Sequence, residues 1–256
     1  MILIKNLWKK YDKTNVMAGL NLEIQTGETL VILGRSGVGK SVLLKHIIGI
    51  SKPDAGSIIV NDQSITDLSG QELYKALHQM GMLFQGAALF DSMTVEENTG
   101  FYLTEHGKNG TPYPQKELEE LIAHALEMVG LAGTQKKMPS ELSGGMRKRA
   151  GLARLIVYRP NILLYDEPTT GLDPITAMHI NELIVKTQQE LKATSVVVTH
   201  DIISALYVGD RLALIDEGKI VCIDTPDNFM KFNHPIIDFL RQIISQDPRS
   251  FRKPAS

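Results

Sequence analysis

Gly34-Arg35-Ser36-Gly37-Val38-Gly39-Lys40-Ser41 carries the most explicit chemistry in this 256-residue chain. Glycines interleaved with small residues let a backbone curl until its N–H groups point inward at phosphate oxygens. Lys40 would then neutralise the β- and γ-phosphates of a nucleotide. The Ser41 hydroxyl would be a ligand for Mg2+, an ion that keeps water and substrate oxygens in its shell. A second candidate is Asp166-Glu167, two carboxylates that close the apolar run Ile162-Leu163-Leu164-Tyr165. Asp166 is placed to hold Mg2+ through its water shell, and Glu167 to polarise an attacking water as general base, a group that a hydrolase needs. An isolated Asp-Glu pair is as readily a turn. Joined to the phosphate loop, it points to hydrolysis. The third candidate is Leu142-Ser143-Gly144-Gly145-Met146. Ser143 is a good helix N-cap, and the glycines let phosphate approach the backbone at the positive end of the following helix, which implies a second anion site.

These groups work only where regular elements hold them. Thr29-Leu30-Val31-Ile32-Leu33 is a continuous apolar run suited to a buried parallel strand. Val42, Leu43, Ile47 and Ile48 after the loop suit a helix, so the loop has a strand before it and a helix behind it. Residues 162–165 and 195–198 read as further buried parallel strands, with a helical pattern over 175–191 between them. Residues 2–4 and the alternation Leu20, Leu22, Ile24 predict short strands of a small antiparallel layer, separated by polar residues 9–15. From about 69 to 156 the pattern turns helical, most clearly in Leu118, Leu121, Ile122, Ala125, Leu126 and Val129. Asp216-Glu217-Gly218 predicts a tight hairpin. Pro235 opens a last helix with Ile236, Ile237, Phe239, Leu240, Ile243 and Ile244, ahead of a basic tail with Arg249, Arg252 and Lys253. The expected organisation is one α/β domain with a mostly parallel core sheet. Residues 1–68 and 157–232 form its nucleotide-binding core, 69–156 an inserted helical subdomain, and 233–256 a C-terminal helix and tail.

Composition sets outer limits. A hydrophobic fraction of 43% with 22% charged residues is ordinary for a globular chain. A net charge of -2 gives no electrostatic pull toward nucleic acid, which is excluded as a default partner. The single cysteine, Cys222, reads as a small apolar strand residue. With no internal disulfide possible, no signal-peptide pattern at Met1-Ile2-Leu3-Ile4-Lys5 and no apolar run of membrane-helix length, the expected compartment is the cytoplasm.

The loop, the acidic strand end and the Leu-Ser-Gly-Gly run together resemble the ABC ATPase family, whose signature is usually written Leu-Ser-Gly-Gly-Gln. The resemblance covers nearly the whole chain. It implies an ABC-type phosphate-loop NTPase that uses ATP and Mg2+, and it implies roles for four more residues. Tyr11 matches the aromatic that stacks on adenine. Gln85, in Leu83-Phe84-Gln85-Gly86, matches the switch glutamine that touches Mg2+ and the attacking water. Asp173, in Gly171-Leu172-Asp173-Pro174, matches the loop that crosses to the other subunit, and His200 matches the switch histidine on the γ-phosphate. Read singly, each has a plainer account: a half-buried tyrosine, a solvated glutamine, an Asp-Pro turn and a structural histidine. With one phosphate loop and one signature per chain, the resemblance implies a homodimer in which Ser143, Gly144 and Gly145 of one subunit close over nucleotide on the other. It also implies an integral membrane permease as partner.

Met146 stands where the signature has Gln. Together with residues 84–95 and Gly171-Leu172-Asp173-Pro174-Ile175, it is similar to the Mla or Mce-associated lipid-transport ATPases. These are peripheral subunits on the cytoplasmic face of the bacterial inner membrane, whose permeases are linked to periplasmic Mce-domain proteins. The alternatives are an ATPase of another transporter class or a soluble ABC ATPase of repair or translation. The soluble class usually adds a long coiled-coil insertion or a second ATPase domain, and neither is seen here. Two features stay without a site. The basic run Arg147-Lys148-Arg149 reads as a solvated helix face. Phe84, Leu89 and Phe90 beside Gln85 read either as core or as an apolar groove for a permease helix.

Overall fold

Five consecutive buried residues, Thr29–Leu33, form the strand that carries the phosphate loop. They stay dry because neighbouring strands flank them on both sides and layers cover both faces. The computed structural model describes residues 1–108 and 110–246, the side chain of Gln246 excepted. The chain opens with β1 (Ile2–Tyr11), β2 (Thr14–Ile24) and β3 (Thr29–Leu33), then α1 (Lys40–Ile47), β4 (Ala55–Val60) and β5 (Gln63–Ser64). Next come α2 (Gly70–Leu77), β6 (Met80–Leu83), α3 (Val95–His106), α4 (Gln115–Met128) and α5 (Gly144–Ile156). The remainder is β7 (Ile162–Asp166), α6 (Pro174–Leu191), β8 (Thr194–Thr199), α7 (Ile202–Val208), β9 (Arg211–Asp216), β10 (Lys219–Asp224), α8 (Pro226–Phe229) and α9 (Pro235–Gln246).

A six-stranded sheet in the order β10-β9-β3-β8-β7-β6 is the spine. All its neighbours pair in parallel except the β9–β10 hairpin at one edge. A four-stranded antiparallel sheet, β2-β1-β4-β5, lies beside it. The period of two along each strand sorts side chains between two cores. Leu30, Ile32, Leu164, Val196 and Val198 face α1 and the antiparallel sheet. Val31, Leu33, Leu163, Tyr165 and Val197 face the helical side, with Leu152, Leu155, Ile180 and Ile184 of α5 and α6. Each such buried aliphatic contributes about 1.5–3 kcal/mol, so the sheet is the rigid part of the molecule.

The mixed α/β architecture with a mostly parallel sheet agrees with the expectation, and three local readings are corrected. The N-terminal strands are not short pieces split by a polar segment. They form one long hairpin in which Lys9, Lys10 and Tyr11 pair with Met17, Asn15 and Thr14. Its tip leaves the core, so backbone pairing rather than burial keeps the polar residues extended. The stretch from residue 69 is not wholly helical either, because Met80-Gly81-Met82-Leu83 is a buried edge strand of the main sheet. Four residues without a β-branched side chain give little strand signal. Lys148 is buried, contrary to the reading of 147–149 as a solvated face.

The last helix packs on its own chain, with Ile237 and Leu240 joining the core on the helical side and Phe239 exposed. Arg249, Arg252 and Lys253 of the expected basic tail lie outside the described residues. Among the described residues, no helix is long and apolar enough to cross a membrane.

Candidate active site

Parallel pairing brings the C-terminal ends of β3, β8 and β7 level, with Leu33 opposite Thr199 and Asp166 opposite Val198. The phosphate loop, His200 and the acidic pair therefore leave the sheet side by side, at the edge where open parallel sheets bind ligands. The loop itself bends through left-handed glycines. Gly39 has φ +106°, and a Cβ there would lie 2.6 Å from Val16 Cγ1 of the N-terminal hairpin. Only glycine fits both the turn and the contact. Gly39 also caps α1, which aims its positive end at the loop.

Lys40 is buried, and its Nζ donates to the carbonyls of Gly34 at 2.9 Å and Arg35 at 3.1 Å. The same ammonium lies 3.4 Å from Glu167 Oε1. Ser41 Oγ donates to Asp166 Oδ1 at 2.6 Å. A hydroxyl and a carboxylate held together beside the loop are the oxygen donors that Mg2+ takes, and the buried ammonium next to them suits phosphate charge.

Glu167 is buried with φ +48°, a left-handed backbone that costs a non-glycine residue of order 1 kcal/mol or more and gathers at functional sites. Its N–H donates to Val198 O at 2.9 Å. Oε2 accepts from Thr170 Oγ1 at 3.0 Å and lies 2.8 Å from Nδ1 of His200, which donates there when it carries the proton. Thr199 Oγ1 sits farther off, at 3.5 Å. His200 is exposed, so one end of the pair is buried and the other faces solvent.

Gln85 comes two residues after the end of β6, and β6 pairs with β7, so it emerges next to the acidic pair. Its carbonyl accepts from Lys148 Nζ, which also reaches Glu167 O at 3.3 Å. Burial holds the Lys148 ammonium pKa below its ordinary value, against the opposing pull of the Asp166 and Glu167 charges. Tyr11 is exposed near the tip of the hairpin that touches Gly39, with Lys9 Nζ 5.5 Å above its ring. Arg35, Ser36 and Gly37 are exposed and Val38 is half-buried, so the outer loop stays accessible.

The signature residues stand elsewhere. Ser143 caps α5 by accepting from Met146 N at 3.3 Å, and Ser143 and Gly144 are exposed. A side chain at Gly145 would strike Thr176 Cγ2 at 2.5 Å. Asp173 caps α6, accepting from Ile175 N at 3.1 Å, Thr176 N at 3.0 Å and Thr176 Oγ1 at 2.6 Å. The Thr176 bonds hold its carboxyl pKa below the ordinary value. Among the described residues, no hydrogen bond or ion pair joins Ser143, Gly144 or Gly145 to the phosphate loop. Met146 packs half-buried against the helical core.

The ABC transporter family model matches residues 17–170 of this chain. The chain belongs to the ABC transporter family. It is an ATPase of that family, using ATP with Mg2+. A probable ribonucleotide transport ATP-binding protein, mkl, of Mycobacterium leprae is 39% identical over 236 residues, covering 92% of this chain and 67% of that one. The intermembrane phospholipid transport system ATP-binding protein MlaF of Haemophilus influenzae is 38% identical over 256 residues, covering 100% of this chain and 95% of the other. Among solved structures, a dimeric ATP-binding cassette in a post-hydrolysis state with ADP and Pi has a TM-score of 0.81 and 31% identity, covering 88% of this ABC chain and 99% of that one.

Sequence reasoning missed Lys148, Thr170 and Thr199. Lys148 had a readable signal, because it shares a helical stripe with Leu152 and Ile156, four and eight positions on, and both are buried.

Proposed function

We propose that this chain energises transport of phospholipid or another hydrophobic molecule as one of two identical ATPase subunits on an integral membrane permease. The permease in turn engages an Mce-domain protein. The observation that carries the cargo class is the match running the full length of this chain to an intermembrane phospholipid transport ATPase. The geometry supports the motor itself. Lys40 and the loop from Gly34 to Ser41 grip phosphate, and Tyr11 at the hairpin tip stacks on adenine. Ser41, Asp166 and Gln85 hold Mg2+, which supplies charge neutralisation across the phosphates when bound. Glu167 orients and deprotonates the attacking water, and His200 contacts the γ-phosphate. Lys40 and His200 both lie on the Glu167 carboxylate, so binding a γ-phosphate would draw these partners toward the nucleotide and free an acceptor for water.

The exposed Ser143 and Gly144 and the half-buried Gly145, set apart from the loop of their own chain, close over nucleotide on the second subunit, with Asp173 crossing beside them. Residues 69–156 act as the lever, anchored to the nucleotide core of 1–68 and 157–232 through β6, and α9 packs on the helical-side core through Ile237 and Leu240. No nucleic acid takes part, and the assembly sits on the cytoplasmic face of a bacterial inner membrane.

Purification of the tagged chain from detergent-solubilised native membranes, followed by mass spectrometry of proteins and lipids, tests this reading. A permease, an Mce-domain protein and enriched phospholipid are expected. A permease with a polar-solute binding protein and no lipid enrichment would replace the cargo, and the name of the mycobacterial relative makes ribonucleotide the next class to assay.

A further inference from the structure

Lys148 lies on α5 five positions after Ser143, yet its ammonium is spent inside the protein, where it is 6% exposed. Nζ donates to the carbonyl of Gln85 and to that of Glu167. One cation therefore ties together the helix behind the signature, the segment after β6 and the residue after β7. The close approach is built in at Gly151, one turn further along α5. A Cβ there would sit 2.9 Å from Leu83 Cδ1 and 3.0 Å from Ala87 Cβ. Glycine lets the helix lie against the β6 end, which brings the Lys148 side chain within reach of both carbonyls.

The two hydrogen bonds are to main chain, which decides what they control. Glu167 holds a left-handed φ of +48°. Its N–H is fixed by Val198, and its C=O accepts from Lys148 Nζ and from Thr170 N, each at 3.3 Å, so both peptide groups that flank its Cα are pinned. Rotation of either would swing the carboxylate away from Lys40 and His200. Main-chain restraint of this kind sets the direction of a side chain without touching the reacting atoms.

We propose that Lys148 is a positioning residue for hydrolysis, holding the Glu167 and Gln85 backbones in register with α5. The proposal rests on the reading of Glu167 as general base. A shift of α5, the helix that carries the signature at its tip, is thereby felt at the base through one shared ammonium.

The test compares Lys148→Met, which keeps the length and loses every donor, with Lys148→Arg, which keeps charge and donors. Steady-state ATPase is normalised to sites titrated with a fluorescent ATP analogue, so that loss of folded protein does not register as loss of rate. Lys148→Met is expected to lower kcat per site about 10- to 100-fold, the scale of a misplaced reacting group. Its KM for ATP is expected to stay within about threefold of wild type, because the contact is not to nucleotide. Lys148→Arg is expected to recover most of kcat. Should Lys148→Met not fold, Lys148→Gln, with one amide donor group, takes its place and is expected to turn over more slowly than Lys148→Arg at similar KM. Unchanged kcat per site, a rise in KM with kcat kept, or equal slowing in Arg and the donor-poor variant would each overturn the proposal. Glu167→Gln run alongside separates the two claims. Wild-type turnover there removes the base and the proposal with it, whereas an inactive Glu167→Gln beside a full-rate Lys148→Met removes the proposal alone.

Discussion

Glu167 shares its carboxylate among Lys40, Thr170 and His200 while its backbone sits in a conformation that most residues avoid. A side chain held only for stability would gain nothing from the unfavourable φ, whereas a base must point at one place. Replacing Glu167 by Gln keeps the shape and removes the basicity. We expect ATP binding to survive and single-turnover hydrolysis to fall by at least ~100-fold. Turnover near wild type would take Glu167 out of the role of base. Lys40→Ala should act earlier in the cycle. Losing a charge-assisted contact of about 1.5–3 kcal/mol weakens nucleotide affinity roughly 10- to 100-fold in an analogue titration. Affinity within twofold of wild type would count against a phosphate role for Lys40.

At the scale of elements, the apolar residues around Gln85 divide in a way that composition does not reveal. Phe84 is half-buried against the core that faces α1, and Leu89 packs against the helical core. Phe90 is 41% exposed and lies 4.7 Å from the ring of Phe101 on α3, with the Arg154 guanidinium 5.6 Å above it. An exposed aromatic at the seam between α3 and the β6 end, near Gln85, is the part of this cluster suited to receive a permease helix. Phe90→Ala is therefore expected to leave the melting temperature within a degree or two while abolishing co-purification with the permease, since exposed sites change stability little. Phe84→Ala should instead lower thermal stability, by up to about 3 kcal/mol. If Phe90→Ala binds the permease normally, docking lies on another surface.

At the scale of the whole molecule, one loop and one signature that do not meet within a chain predict a site shared between two copies. Mixed dimers separate the cases. Lys40→Ala in one chain with Ser143→Arg in the other leaves one composite site intact if the signature acts in trans. Both changes in one chain, paired with wild type, spoil both sites. ATPase activity of the two doubly tagged heterodimers should thus differ sharply, and equal activities would leave trans sharing without support.

Stability has its own pH signature. The carboxyl pKa values of Asp54, Asp173 and Asp224 are held below 3.8, chiefly by hydrogen bonds from Lys9, Thr176 and Asn228, and that of Glu97 below 4.5 by the Thr94 N–H. Depressed values add stability above the unfolded pKa and lose it as pH falls through the folded one. The melting temperature should therefore hold between about pH 5 and 7 and drop below about pH 4. Asp54→Asn with Asp224→Asn should flatten part of that acid limb, and an unchanged limb would place the acid sensitivity in other groups.

Much of this chain was legible in one dimension because phosphate chemistry demands residues that are close in sequence. A loop that curls around an anion needs its glycines, lysine and serine within eight positions, and a buried parallel strand must be apolar throughout. Those two local demands identified the loop, the acidic strand end and the α/β class. The hairpin at Asp216-Glu217-Gly218 and the helix from Pro174 follow from local rules of the same kind. Contacts between distant segments were decided only in three dimensions. Lys148 joins carbonyls 63 and 19 positions away, partners that its helical stripe with Leu152 and Ile156 could not specify. Met80-Gly81-Met82-Leu83 becomes a strand because β7 offers it an edge, not because its residues prefer to extend. The sharing of Glu167 between Lys40 and His200 likewise exists only because β8 lies between β3 and β7. Strand order is set by the packing of two cores against one sheet, a property of the whole chain that no local window contains.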